Sequence, residues 1–160
     1  MAVIIRTARL ADAAEIARLT AQLGYEADPA SIDARLSRLL AREEQLFLVA
    51  ASDGHVVGWI HALIGDYIES DPFVVIGGLV VDRNARRLGV GRLLMLQAED
   101  WARSRGHSVI RLSSSATRTA AHRFYEALGY TRIKIHFAFA KSLDGQGDAG
   151  LRRFVPRVDE

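Results

Sequence analysis

Hydrophobic positions along this chain follow two periods, one typical of strands and one typical of helices. An apolar run at residues 3–5 predicts a short first strand, and two amphipathic helices follow it. The first helix begins near Asp12 and ends before Gly24, and the second has Asp28 as its N-cap and Pro29 in its first turn. The apolar faces consist of Ala13, Ile16, Ala17, Leu19 and Leu23 in the first helix and of Ile32, Leu36, Leu39 and Leu40 in the second.

Three strands are predicted in the middle of the chain. Residues 46–50 and 56–64 flank the turn signal Asp53-Gly54, which is typical of an antiparallel hairpin. The run 73–81 is apolar at both odd and even positions, as in a buried central strand. The Gly77-Gly78 pair within it predicts a bulge, or a place where another backbone or a ligand comes close.

The second half alternates helices and strands. A helix is predicted from Gly89 to near Gly106, then a strand over 109–112, a helix over 120–128 and a last strand over Thr131–Ala140. The element order is therefore βααβββαβαβ, an α/β (α+β) class with a mixed central sheet.

Length and composition favour one domain. The chain has 160 residues, of which 49% are hydrophobic, enough for one well-buried core. We expect this domain to span residues 1–143, and residues 144–160 to form a tail that is mobile or packed on a partner. There are no cysteines, which excludes disulfides and thiolate chemistry. With neither a signal-peptide pattern nor an apolar run of about 18 residues, the sequence predicts a cytoplasmic protein outside the membrane.

Charge is unevenly distributed along the chain. Residues 1–80 carry 6 Lys and Arg against 11 Asp and Glu, whereas residues 81–160 carry 15 against 8. Such a division suits a polyanionic cofactor and a cationic co-substrate, although ordinary surface charge gives the same totals. The basic half shows neither an aromatic-basic platform nor a recognition-helix signature, so nucleic-acid binding is not predicted.

A glycine-containing turn, Arg86-Arg87-Leu88-Gly89-Val90-Gly91, joins the buried strand to the next helix. Free amide N–H groups and the helix dipole make such a helix start an anion site, and glycines let a diphosphate approach. A dinucleotide-binding fold requires a third glycine where this chain has Leu94, and a triphosphate-binding loop requires Gly-Lys-Ser/Thr. Both of these phosphate motifs are excluded.

The turn and a second motif resemble those of the GNAT superfamily of N-acetyltransferases. Its signature Arg/Gln-x-x-Gly-x-Gly/Ala matches Arg86, Gly89 and Gly91, and residues 121–130 resemble its second motif, an alanine followed by Phe-Tyr-Glu and a final Gly-aromatic pair. The resemblance covers residues 3–143. It implies a GNAT-like domain with strands splayed at the cofactor site, and acetyl-CoA as co-substrate.

By this resemblance, the backbone of the strand end binds the pantetheine arm and the turn amides bind the pyrophosphate. The cofactor-binding residues it implies are Leu79, Val80, Val81, Arg86, Arg87, Leu88, Gly89, Val90, Gly91, Arg92, Arg118 and Tyr125. Arg118 departs from the family, many members of which have asparagine there. It could reach a CoA phosphate, or Ser113-Ser114-Ser115 could replace the asparagine.

Acetyl transfer to an amine requires a proton donor for the thiolate and a base for the amine. Tyr125 is the candidate acid, because a phenol is protonated at neutral pH and the resemblance places it beside the sulfur. A backbone N–H near Leu79 or Val80 is the candidate carbonyl polariser. Glu69 is the leading candidate base, with Asp71, His61 or a water as alternatives. No metal is predicted, because no two histidines have metal-ligand spacing.

The sequence predicts an enzyme that acetylates a primary amine of a small molecule, such as an amino sugar, polyamine, aminoalkyl compound or amino acid. A protein N-terminus or lysine is the alternative acceptor, and a non-catalytic CoA-binding sensor is the alternative function. A homodimer through Thr131–Ala140 or the tail is also predicted.

Overall fold

Five strands form one sheet in the order in which they occur in the sequence. The computed structural model describes residues 2–155, and within them the first four strands pair antiparallel while the fifth pairs parallel to the fourth. The elements are β1 (Ile4–Thr7), α1 (Ala13–Ala21), α2 (Pro29–Leu40), β2 (Gln45–Ser52), β3 (His55–Gly65), β4 (Phe73–Val81), α3 (Val90–Ser104), β5 (Ile110–Leu112) and α4 (Thr119–Ala127). The predicted mixed α/β class and single sheet are confirmed.

Local sequence signals account for several of these boundaries. Asp53 and Gly54 both have positive φ, 50° and 80°, as required for the two-residue turn between β2 and β3. The side chain of Asp28 accepts a hydrogen bond from the Ser31 amide at 3.0 Å and so caps α2. Gly24 closes the turn after α1 with φ of 87°, a conformation in which glycine has no Cβ penalty.

The sheet separates two hydrophobic clusters, which define its two faces. On the α1/α2 face, Ile16, Leu19 and Leu36 are fully buried against the sheet. On the α3/α4 face, Leu94 and Met95 are fully buried in the same way. Each such side chain contributes about 1.5–3 kcal/mol by leaving water, so both helical layers are held by burial.

At a bulge in β4, the side chains of the strand change from one hydrophobic cluster to the other. Gly78 pairs with His61 and Ile76 pairs with Ala62, which leaves Gly77 as an extra residue. Before the bulge Ile76 belongs to the α3/α4 cluster, and after it Val80 belongs to the α1/α2 cluster. The extra residue thus reverses which side chains face which layer, and this explains why the run is apolar at odd and even positions.

The predicted last strand is wrong: Thr131–Ala140 has no regular structure, and all its residues are exposed. A strand is stabilised by pairing, and β5, the edge strand of the sheet, is only three residues long. The apolar side chains still alternate, with Ile133, Ile135, Phe137 and Phe139 between 70% and 94% exposed. The segment has the pattern of a strand without a partner within the described residues.

The predicted tail begins at residue 144. A 3-10 helix spans Gly147–Arg153, while residues 156–160 lie outside the described residues. The division into a domain over 1–143 and a tail therefore stays a prediction. In the part of the chain that the structure describes, no helix is both long enough and apolar enough to cross a bilayer.

Candidate active site

Strand β4 loses its outer neighbour halfway along its length. β5 pairs with it only at Val74–Ile76, so from Gly77 to Val81 the edge of β4 that faces away from β3 has no strand of the described residues beside it. Backbone N–H and C=O groups along Leu79–Val81 are thus available to an extended ligand. The strands diverge where the glycine pair predicted a bulge.

A buried hydroxyl lies just after β5, where the two strands separate. Ser114 Oγ is inaccessible to solvent, and the described residues give it no hydrogen-bond partner. Leaving such a group unpaired costs about 1–3 kcal/mol, so native proteins rarely retain one without a reason. This orphan oxygen fits a site that a ligand with polar groups completes.

Asp82 fixes the chain as it leaves β4. Its carboxylate accepts a hydrogen bond from the Asn84 amide at 3.0 Å and forms an ion pair with Arg18 Nη1 of α1 at 2.5 Å. These two contacts hold the pKa of Asp82 below its usual range, in that order of importance. Asp82 directly follows the predicted strand 73–81, and sequence reasoning gave it no role. Sequence reasoning also missed Arg18, because a partner 64 residues away leaves no local signal.

Two left-handed residues shape the following turn. Arg87 has φ of 65° and Gly89 has φ of 81°, and α3 begins at Val90. A left-handed arginine costs about 1–2 kcal/mol, which the surrounding fold must offset. Turns of this kind aim successive N–H groups into one concavity, where they add to the free amides of the helix start. The geometry fits the predicted anion site.

The side chains of this turn divide by exposure. Arg86, Arg87, Leu88 and Arg92 are exposed, whereas Val90 is buried and offers only its amide. Among the described residues, Arg86, Arg87 and Arg92 form no ion pair. Their charges are available to an anionic ligand.

Gly91 has a different role from Gly89. A Cβ at Gly89 would meet nothing within 4 Å, so this glycine is required by its left-handed φ. A Cβ at Gly91 would lie 3.1 Å from Cζ of Phe124 and 3.5 Å from a methyl group of Val81. The missing side chain lets α4 dock against the start of α3 and the end of β4, so packing explains this glycine as well as ligand access does.

Tyr125 follows Phe124 on α4 and is half-buried on the α3/α4 face. Its ring packs edge-on against Phe124 at a centroid distance of 5.1 Å and against Tyr130 at 6.1 Å. Burial raises the pKa of Tyr125, and the charge of Arg118 partly opposes this effect. The phenol is protonated at neutral pH, and the described residues give its hydroxyl no hydrogen-bond partner.

Arg118 stands at the N-cap of α4 with an exposed side chain. It is close enough to influence the pKa of Tyr125, so the structure brings these two predicted residues to the same region. Nearby, His122 Nε2 donates to the Ser115 carbonyl at 2.9 Å and fastens the loop before α4.

The candidate bases occupy different positions. Glu69 and Asp71 are exposed in the loop before Phe73, at the far end of β4 from its open edge. His61 is half-buried on β3, directly opposite Gly78 at the bulge. Among residues 2–155, no group of His, Asp and Glu side chains could hold a metal ion.

A cavity of about 150 Å³ lies on the α1/α2 face. Apolar side chains such as Leu36 and Phe47 line it, together with Arg35 and Trp59. Trp59 is 7% exposed, and its indole N–H has no partner in the described residues. The benzene edge of the same indole lies 2.7 Å from where a Cβ of Gly78 would be. The Trp59 side chain thus extends from the bulge to the cavity. Sequence reasoning did not identify this connection.

Comparison with known proteins agrees with this geometry. The sequence model of the Acetyltransferase (GNAT) family matches residues 11–130. The aminoglycoside N(6')-acetyltransferase type 1 of Klebsiella aerogenes is 32% identical over 111 residues, which are 68% of this chain and 73% of that protein.

Two solved structures show the same architecture. The apo structure of an aminoglycoside 6'-N-acetyltransferase from Acinetobacter haemolyticus is 26% identical, with a TM-score of 0.76 over 88% of this chain and 99% of that one. AAC(6')-Iy in complex with the bisubstrate analogue CoA-S-monomethyl-acetylneamine is 22% identical. It has a TM-score of 0.79 over 89% of this chain and 99% of its own, and it supports the fold alone.

Proposed function

Because the chain belongs to the GNAT family of N-acetyltransferases, we propose that it transfers the acetyl group of acetyl-CoA to a primary amine of a small molecule, by direct attack in a ternary complex. The observation that carries this proposal is the open edge of β4. It leads into the turn that is predicted to bind an anion, and Phe124 of α4, the neighbour of Tyr125, lies together with Val81 around Gly91.

The residues around the gap fit acetyl-CoA. The amides of a pantetheine arm match the backbone N–H and C=O groups that Leu79–Val81 present along the open edge, and the orphan hydroxyl of Ser114 can serve the same arm. The amides of residues 87–91 and the unpaired charges of Arg86, Arg87 and Arg92 suit its phosphates, with Arg118 as a further candidate. When bound, acetyl-CoA supplies an activated acyl thioester.

The reaction requires one bond to form and one to break. The amine nitrogen attacks the carbonyl carbon, the C–N bond forms, and the C–S bond breaks. Tyr125 donates its phenolic proton to the departing thiolate, and a backbone N–H near Leu79 or Val80 stabilises the charge on the oxygen. A base accepts the proton that the amine loses.

Two positions compete for the role of base. Glu69, the leading candidate from the sequence, requires its loop to extend toward the open edge from the opposite end of β4, and Asp71 lies in the same loop. His61 already lies beside the bulge. Either group, directly or through water, can accept a proton from an amine.

The cavity beside α2 favours a small molecule as the amine acceptor. Its apolar walls, with the Arg35 guanidinium and an indole N–H that has no partner among the described residues, suit an amine that has an apolar body and an anionic or hydrogen-bond-accepting group. Amino acids and aminoalkyl compounds meet this description better than polycations do. The connection through Trp59 to Gly78 would place the amine near the bulge.

A protein N-terminus or lysine is the alternative acceptor, and it requires an extended groove instead of a cavity of about 150 Å³. A non-catalytic CoA sensor is the alternative function, and the presence of Tyr125 argues against it. The cytoplasmic location predicted from the sequence stays a prediction.

A two-step screen tests the proposed function. We expect acetyl-CoA at about 100 times its Kd to stabilise the protein by about 2.7 kcal/mol, seen as a rise in Tm, while NAD has no effect. Thiol release is then measured with amino acids, aminoalkylphosphonates, polyamines, aminoglycosides and lysine peptides. Stabilisation by NAD alone, or acetyl-CoA binding without thiol release for any amine, would contradict the proposal.

We also propose that two copies pair through Thr131–Ala140. Ile133, Ile135, Phe137 and Phe139 would lie on one face of an extended strand and are all exposed in the single chain. Monomeric proteins rarely leave so regular an apolar stripe in water, and antiparallel pairing with a second copy would cover it.

Light scattering tests this pairing. We expect a dimer for the unchanged protein and a monomer for Ile135→Asp combined with Phe137→Asp, because two buried charges would oppose the interface. Ile68→Asp is the matched control, since this residue is also fully exposed but lies on the loop before β4. A monomeric unchanged protein, or a dimer that survives the double substitution, would overturn the proposal.

A further inference from the structure

The ring of His61 faces the bulge in β4. A Cβ built on Gly77 would lie 2.8 Å from His61 Nδ1, so this nitrogen is directed at the glycine backbone. Gly77 itself is exposed, and the open edge of β4 begins there. The nitrogen therefore lies beside the gap, on the α1/α2 face that also contains the cavity.

A hydrogen bond from Gln45 determines the form of the ring. His61 Nε2 lies 2.5 Å from Oε1 of Gln45, the first residue of β2. A carboxamide oxygen only accepts hydrogen bonds, so Nε2 carries the proton and Nδ1 keeps its lone pair. The nitrogen that faces the bulge is the basic one.

The surroundings keep the ring neutral and oriented. Phe47 stacks on it at a centroid distance of 5.8 Å, and burial lowers the pKa of His61 below its usual value. Among the described residues, Gln45 and Phe47 on β2 and Gly77 and Gly78 on β4 lie against or opposite the ring, and none of them carries a charge. The lone pair is available at neutral pH.

We propose that His61 is the general base of this enzyme, that Nδ1 accepts the proton from the attacking amine, and that Gln45 is its positioning residue. This inference rests on the proposed acetyl transfer. The proton that the nitrogen loses as the C–N bond forms passes to Nδ1, while the thiolate released by the C–S bond takes its proton from Tyr125. Exchange with solvent afterwards returns both groups to their starting forms.

Acid and base then lie on opposite faces of the sheet. His61 shares the α1/α2 face with Phe47 and Trp59, and Tyr125 packs on the α3/α4 face. The amine can approach from the cavity side while the thiolate leaves toward α4, so each proton is transferred where its partner group is. Glu69 is farther from the bulge. It precedes Phe73, and Phe73 is four residues, or about 13 Å, from Gly77 along the strand.

The pH dependence of kcat/KM tests this role. The protonated ring cannot accept a proton, so activity falls as pH drops through the lowered pKa of His61. We expect His61→Gln, whose amide can replace Nε2 in the contact with Gln45, to reduce kcat at least about 100-fold. Acetyl-CoA affinity by calorimetry and Tm should stay close to those of the unchanged protein. His55→Gln, which changes an exposed histidine at the start of the same strand, is the control and should leave kcat unchanged. Glu69→Gln tests the rival candidate base.

Gln45→Glu gives a second readout while the ring stays in place. A carboxylate beside Nε2 favours the imidazolium, so the acid limb should move up by about one pH unit or more. A purely structural role for His61 predicts no such movement. Ionisation of the substrate amine affects every variant equally and cancels in the comparison.

The outcomes separate this inference from the proposed function. If the unchanged protein releases no thiol with any amine, acetyl transfer itself fails. If it is active and His61→Gln keeps its kcat, or Gln45→Glu keeps its acid limb, the histidine is not the base. Loss of activity in Glu69→Gln instead would assign the role to the loop before β4.

Discussion

Tyr125→Phe is expected to lower kcat by on the order of 10²–10³-fold while acetyl-CoA binds as before. The substitution removes only the hydroxyl, so the contacts of the ring with Phe124 and Tyr130 are kept. Without the phenolic proton the thiolate must leave unprotonated or take its proton from water. Stopped-flow or steady-state thiol release gives kcat, and calorimetry gives the affinity for acetyl-CoA.

Tyr130→Phe is the matched control. This neighbouring tyrosine is also partly buried, but its hydroxyl donates to Glu99 Oε1 at 3.1 Å, so its removal should affect stability more than rate.

Burial raises the pKa of Tyr125, and its acid form is therefore lost only in strongly alkaline solution. Equal kcat in Tyr125→Phe and the unchanged protein would remove Tyr125 from the mechanism and favour a non-catalytic role.

Gly78→Ala is expected to destabilise the protein by about 1–3 kcal/mol and to impair turnover as well. The new methyl group would lie 2.7 Å from two carbons of the Trp59 ring, which is buried and cannot simply rotate away. Displacing the indole disturbs both the cavity and the bulge beside His61. Thermal unfolding and thiol release measured on one sample report the two effects together.

Gly65→Ala provides the comparison on the neighbouring strand. Its Cβ would approach a carbon of Tyr67 at 2.9 Å and a methyl group of Val75 at 3.1 Å, but the Tyr67 ring is 51% exposed and can shift more easily than the buried indole. We expect a smaller loss of stability and an unchanged kcat. Similar losses of stability and of kcat in both variants would mean that any added side chain at a glycine of these strands is harmful. The special role of the bulge would then be disproved.

The sequence predicted those features whose signals are local. The Asp53-Gly54 turn, the cap at Asp28 and the glycine turn before α3 each depend on a few adjacent residues with distinct conformational preferences. The apolar run of β4 was long enough to predict a buried strand, and its glycine pair a bulge. The motif around Tyr125 completed the predicted cofactor site, whose residues stay a prediction.

Features that depend on strand register were out of reach. His61 and Gln45 are 16 residues apart in the sequence. Their contact forms because the adjacent strands β2 and β3 pair in a register that places Phe47 opposite His61. No local pattern encodes that register or the ion pair from Arg18 to Asp82. The strand prediction for Thr131–Ala140 failed for the opposite reason. The alternation of apolar residues there is clear, but a pattern alone cannot supply a partner strand.

The single extra residue at Gly77 has a consequence for how this protein can vary. Strict alternation onward from Ile76 at the present chain length would turn Leu79 and Val81 toward the α1/α2 face and Val80 toward the α3/α4 face, so the bulge keeps each side chain in its layer. Deletion of Gly77 would leave these faces unchanged, because Gly78 would still pair with His61 and Ile76 with Ala62. An insertion within the paired run Gly78–Val81 would instead move the residues beyond it to the opposite face. We therefore expect changes of length in this strand to be confined to the bulge.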